Sequence, residues 1–261
     1  AVNKGDFKEF LELDPVRCSN DINKKDGKSV LHYAAMYDNI QATRRLLEIK
    51  ANITTTDEDG NTPLMCAVQF NSFECLKLLI DSKAEVNTRG GKLALLTLAA
   101  QSDSLDCAKV LIANKADVNY THSDQGTALV DSARNNSSSV CLLLVESKAH
   151  LNIATSEGET ALHVATQMES VECVKILLDH KANPDLLGPE RESSLAMAVS
   201  HTDSRCLDLL LRAKANLNSQ DQKGNTPLAS ACISNHKLAA KLVEAKANVN
   251  IPNNNGDTPL M

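Results

Sequence analysis

A Lys-Ala tripeptide recurs seven times along the 261 residues, ending in Asn, Glu, Asp or His, and its spacing decides what the chain can fold into. The alanines are Ala51, Ala84, Ala116, Ala149, Ala182, Ala215 and Ala247, at successive separations of 33, 32, 33, 33, 33 and 32. A fixed period of this length marks a repeat architecture in which each unit is one small supersecondary element.

Within the period the local chemistry is legible. Asp59-Gly-Asn-Thr-Pro-Leu64, Glu157-Gly-Glu-Thr-Ala-Leu162, Lys223-Gly-Asn-Thr-Pro-Leu228 and Asn255-Gly-Asp-Thr-Pro-Leu260 each read as a turn that launches a helix. Gly60, Gly158, Gly224 and Gly256 supply the positive φ of a tight turn. Thr62, Thr226 and Thr258 stand as N-caps before a Pro at the first helical position. The first helix is short and carries small residues such as Ala67 and Val68. A second helix follows a brief loop, with Phe73, Leu76, Leu79 and Ile80, or Val171, Val174, Leu177 and Leu178, on one amphipathic face. So small a helix pair cannot bury its apolar face alone, so consecutive units must stack. The period divides the single array into a partial repeat at 1–23, repeats at 24–56, 57–88, 89–121, 122–154, 155–187, 188–220 and 221–252, and a truncated repeat at 253–261.

Composition narrows the function. Apolar residues make up 43% of the chain but aromatics only 3%, with no Trp, which suits thin layers packed by Leu, Ala, Val and Ile. A net charge of -6 disfavours nucleic acid and anionic lipid, which need clustered Lys and Arg. No stretch approaches the ~20 apolar residues of a membrane span. Residues 1–20 lack a signal-peptide layout. The eight cysteines show no CxxC or zinc-knuckle spacing, and free thiols place the chain in a reducing, intracellular compartment, the cytoplasm or the nucleus. The sequons at Asn52, Asn119 and Asn136 are then unused.

The phrases Ser29-Val-Leu-His-Tyr-Ala-Ala35, Thr62-Pro-Leu-Met65 and Thr160-Ala-Leu-His163 resemble the ankyrin motif Thr-Pro-Leu-His-x-Ala-Ala. The resemblance covers essentially the whole chain. It implies an all-α repeat protein, an ankyrin-type α-solenoid of helix-turn-helix units whose turns project as β-hairpins and whose first helices line a concave groove. It also implies that His32 and His163 tie helix to hairpin. Three departures stand out. Lys50, Lys83, Lys115, Lys148, Lys181, Lys214 and Lys246 occupy the position of the family's Gly before Ala. Between the helices Asp38, Asn71, Asp103, Asn136 and Asn235 replace another Gly tolerably, whereas Glu169 and Thr202 fit it poorly. Lys92, Gln125 and Arg191 stand where the turn glycine belongs, which predicts irregular hairpins there.

Nothing invites catalysis. No phosphate loop, HExxH, GxSxG or kinase signature occurs, and no cofactor, metal or small-molecule substrate is implied. Cys75, Cys107, Cys173 and Cys206 share one repeat position, with Cys141 one residue beyond it. Layers about 8–10 Å apart exceed the ~7 Å Cα limit of a disulfide, so these cysteines are expected to be core filler. The expected function is a protein-protein interaction scaffold, the alternative being a structural spacer or regulatory segment of a larger protein. By the family's habit the partner meets the groove and hairpin tips, which puts Met36, Tyr37, Phe70 and Met168 forward as apolar contacts and Glu58, Asp59, Glu157 and Glu159 as acidic ones. Other acids at the tips are Asp26, Asp124, Glu190 and Glu192, against Lys25, Lys28 and Lys223. The expected partner is a protein or peptide with basic residues and one or two apolar anchors. Asn119, in a stretch ending Asp-Val-Asn, resembles the target of an asparaginyl hydroxylase that acts on such repeats. The ends, a half repeat at Ala1 to Leu13 and a helix start at Thr258 to Met261, suggest a segment of a longer array.

Overall fold

The computed structural model describes residues 23, 25–87, 94–121 and 126–261. Lys92, Leu93, Asp124, Gln125 and the partial repeat before Asn23 lie outside the described residues. The chain forms two compact units, one ending at Val118 and one running from Asn119 to Met261.

The first unit contains α1 (Val30–Met36), α2 (Ile40–Glu48), α3 (Pro63–Gln69), α4 (Phe73–Asp81), α5 (Leu95–Gln101) and α6 (Leu105–Ala113). The second contains α7 (Ala128–Arg134), α8 (Ser138–Glu146), α9 (Ala161–Gln167), α10 (Val171–Asp179), α11 (Ser194–Ala198), α12 (Arg205–Arg212), α13 (Pro227–Ser234) and α14 (His236–Glu244). Within each unit the helix pairs stack in tandem. First helices pack on first helices, α1 on α3 on α5 and α7 on α9 on α11 on α13, while α2, α4 and α6, and α8, α10 and α12, form a second layer.

Caps start these helices where the sequence places them. The Thr62 hydroxyl accepts from the Met65 N–H at 3.3 Å and Thr226 from Ala229 at 3.3 Å, with Pro63 and Pro227 in the first turn. The small residues then do their work: Ala34, Ala67, Ala99, Ala133, Ala165 and Ala198 are buried between first helices, which thereby approach closely. Leu76, Leu111, Leu144, Leu177, Leu210 and Leu242 fill the second layer. Each such buried Leu contributes on the order of 2 kcal/mol.

The helix ends explain the lysine column. All seven lysines adopt left-handed backbone, with φ from 58° at Lys50 to 72° at Lys181. Asp38, Asn71, Asp103 and Asn136 do the same between the helices, at φ 49° to 54°, and Glu169 joins them at φ 53°. Thr202 does not. Its β-branched side chain disfavours positive φ, and α11 has five residues where α9 has seven. Asn235 also departs from expectation: at φ -157° it is extended, and its side chain caps α14 by accepting from Lys237 and Leu238.

The hairpins are smaller than the family's pattern implies. Among the described residues they show isolated antiparallel bridges, Ala154 with Thr160 and Leu187 with Ser193. The irregular turn expected at Arg191 is present, with Glu190 and Arg191 both left-handed inside a short 3-10 turn, Pro189–Arg191. Two repeats earlier Gly126 takes φ 85°, one residue after the place where register puts the glycine.

Candidate protein-binding surface

The first helices α1, α3 and α9 expose their C-caps, Tyr37, Phe70 and Met168, and the hairpin tips lie before their N-termini. Helices of seven residues are about 10 Å long, so a ligand touching both tip and C-cap must span the helix.

At the C-cap end of the first unit, Tyr37 and Phe70 occupy the same position in consecutive layers, α1 and α3. They are 39% and 51% exposed, with Ile40 exposed beside Tyr37. Met36 is half-buried, and its carbonyl accepts from the Ser72 hydroxyl at 3.4 Å, so it supports the patch from beneath. In the second unit Met168 is the α9 C-cap and is 48% exposed. The apolar contacts proposed from sequence are therefore accessible, Met36 least.

The tips hold acids. Glu58, Asp59 and Glu157 are exposed. Lys28 is not a free counter-charge, because its ammonium pairs with the Asp57 carboxylate at 2.9 Å, whose side chain is fully covered. Burial alone would raise the Asp57 carboxyl, yet Lys28 and the Asn61 N–H hold it below the usual range. Glu159 corrects the sequence reading. It is only 8% exposed, because it sits in the narrow neck of the hairpin, where its carbonyl accepts from the Thr155 N–H at 2.8 Å and its N–H donates to the Thr155 hydroxyl at 3.2 Å. Burial raises the Glu192 carboxyl, and the nearby Asp221 and Glu190 raise it further, which marks a locally negative tip.

The two histidines are structural ties. His32 Nε2 meets the Asn61 carbonyl at 2.9 Å and His163 Nε2 meets the Leu186 carbonyl at 3.0 Å, each in the next hairpin. The Nδ1 atoms accept from the N-cap residues Ser29 and Thr160. Burial depresses both imidazoles below their ordinary value.

A second tie was missed from sequence. Asn87 Oδ1 accepts from the Asp117 N–H at 3.1 Å. In the second unit Asn119, Asn152, Asp185 and Asn218 likewise accept from His150, Asn183, Asn216 and Asn248, at 2.7, 3.0, 2.7 and 2.9 Å. The signal was an Asn, or Asp185 in one repeat, two residues after the last residue of every tripeptide but the first. Asn119 thus has a structural partner. The column cysteines are tied as well: Cys75, Cys107 and Cys173 thiols donate to the Ala34, Ala67 and Ser132 carbonyls at 3.8, 3.7 and 3.8 Å.

The pattern described as ankyrin repeats in three copies matches residues 1–90, 95–187 and 195–261. The chain belongs to the ankyrin repeat family. Among solved structures it is similar to the ankyrin repeat domain of human ASB11, at 22% identity and a TM-score of 0.75, over 84% of this chain and 98% of that one. That likeness concerns the fold. Compared with curated proteins, the sequence finds no match. Ankyrin repeat domains are generally protein-binding modules and typically non-catalytic. Among the described residues no helix is long and apolar enough to cross a membrane, and no group of three or more His, Cys, Asp or Glu is placed to hold a metal.

Proposed function

We propose that this ankyrin repeat chain is a scaffold for a protein segment that carries basic residues and one or two apolar anchors. The carrying observation is the pair Tyr37 and Phe70, exposed at equivalent places in adjacent layers, with Glu58 and Asp59 at the tip beyond α3. Aromatics with accessible faces are the side chains that most often dominate an interface. Acidic tips would speed the approach of a basic segment more than they tighten its grip. Met168, with Glu157 at the tip of the same repeat, offers the second unit a similar combination. Among the described residues seven cysteines stand outside any disulfide, which suits a reducing compartment.

Selection of displayed peptides against the folded chain tests this. Enriched sequences should combine Lys or Arg with an aliphatic or aromatic anchor, and Tyr37→Ala with Phe70→Ala should weaken them at least tenfold. Glu58→Lys with Asp59→Lys should lower the association rate and its salt dependence. Enrichment without basic residues, or indifference to the aromatic pair, refutes the reading. Failure to select any peptide favours the spacer.

Asn119 is proposed as a hydroxylation target on its Asp-Val-Asn context alone. An intact-mass gain of one oxygen on enzyme treatment, lost in Asn119→Ala, is the check.

A further inference from the structure

Cysteine is scattered through this core in a way that brings two thiols together at one place. Cys75, Cys107, Cys173 and Cys206 share one repeat position, and the side chain that Cys75 meets in the preceding layer, Thr43, lies one residue past that position, 32 residues upstream. The first unit shows the geometry directly: Thr43 Oγ1 and Cys75 Sγ are 3.2 Å apart, both buried. In the second unit the corresponding pair is Cys141 on α8 and Cys173 on α10. Their thiols hydrogen-bond each other, with Ser132 of α7 against both sulfurs and all three side chains without solvent exposure. Register accounts for this. Spacing between layers alone argued against a bridge, but the extra residue at Cys141 turns its thiol toward Cys173.

We infer that Cys141 and Cys173 are an oxidisable pair that closes into a disulfide linking adjacent repeats when the chain meets hydrogen peroxide. The Cys173 S–H is held by the Ser132 carbonyl, so the proton between the two sulfurs is that of Cys141, and the reaction can begin at Cys141. Its sulfur attacks one peroxide oxygen, the O–O bond breaks, and the departing hydroxide takes the thiol proton as water. The resulting sulfenic acid is attacked by Cys173 sulfur, forming the S–S bond. The expelled hydroxide leaves as water with the Cys173 proton. Two thiols are oxidised by two electrons and one peroxide is reduced to two waters. The product is neutral, so it leaves no charge in the apolar layer. Burial makes access the slow step, through local opening of the layer.

The loop closed by this bond contains all of α9 and its C-cap Met168. Oxidation therefore fixes one candidate contact helix against its neighbours and raises resistance to unfolding.

The test is a non-reducing peptide map of the full chain after graded peroxide treatment, with urea unfolding in parallel. A Cys141–Cys173 peptide pair that disappears on reduction, with a urea midpoint that rises on oxidation and returns with reductant, is the expected result. Thr43→Cys should create a second such pair with Cys75, since the structure already places those atoms in contact. Cys141→Val should abolish the first link and leave the engineered one. If peroxide that fully modifies the partly exposed Cys232 yields neither link in the folded chain, or if linkage leaves the midpoint unchanged, the inference is overturned.

Discussion

Replacing lysines at the helix ends by glycine should stabilise this protein, although it removes charge and side-chain packing. Lys148, Lys181 and Lys214 lie in the second unit at φ 69°, 72° and 59°, and all are exposed. Left-handed backbone costs a residue with a Cβ about 1–2 kcal/mol. Against this, glycine's greater freedom in the unfolded chain takes back about 0.5–1 kcal/mol, and losing an exposed cation at a helix C-terminus about 0.3 kcal/mol. The balance is a gain of about 0.5 kcal/mol per site. The sites are a full repeat apart, so the gains add, and Lys148→Gly, Lys181→Gly and Lys214→Gly together should yield about 1.5 kcal/mol by linear extrapolation of urea unfolding. The matching triple alanine variant separates the causes, because it keeps the strain and loses the charge. It should be slightly less stable than the parent. A glycine triple no more stable than the alanine triple would refute the account and show that the lysines hold the helix ends by contacts stronger than backbone strain.

Stability should fall with acid in a histidine-dependent way. His32 and His163 are depressed by burial, so they stay neutral in the fold while the unfolded chain protonates. Their contribution is complete above the unfolded value of about 6.5 and is lost as pH falls from there through the folded pKa. His32→Gln with His163→Gln should cost about 1–3 kcal/mol per site at pH 7 and flatten unfolding free energy between pH 7 and 5. The turn glycines differ in what a Cβ would meet. Gly60→Ala has nothing within 4 Å and should cost only about 1 kcal/mol of backbone strain. Gly224→Ala would approach the Asn254 backbone nitrogen to 2.8 Å and should cost clearly more in the same urea assay. Burial pushes the Cys66, Cys75 and Cys107 thiols up to about 12 and Cys206 to about 11, so none should alkylate in the folded chain at pH 8, whereas the less buried Cys232 should, as read by peptide mass.

What the sequence made legible is what recurs. The period, the Thr caps, the Pro-Leu helix start and the alanine face each state one local rule several times over, and Ala67 or Thr226 has the same task in every layer it touches. What it hid depended on direction rather than identity. Glu159 reads as one more tip acid, yet the neck of its hairpin turns it inward. Asn235 looks like Asn71, but the seven residues of α3 before Asn71 become eight in α13, and the extra residue converts a left-handed linker into an extended N-cap.

Cys141 shows the same point at a single residue. Cysteines at one register place face the layer before them and not one another: the Cys75, Cys107 and Cys173 sulfurs lie against the Ala34, Ala67 and Ser132 carbonyls. Moving one thiol by one residue rotates it about 100° around its helix, from facing a carbonyl to facing the next repeat's thiol. Repeat proteins make such offsets testable, since the rest of the array supplies the control: Thr43 holds the same place opposite Cys75, and a single Thr-to-Cys change separates that site from a second thiol pair.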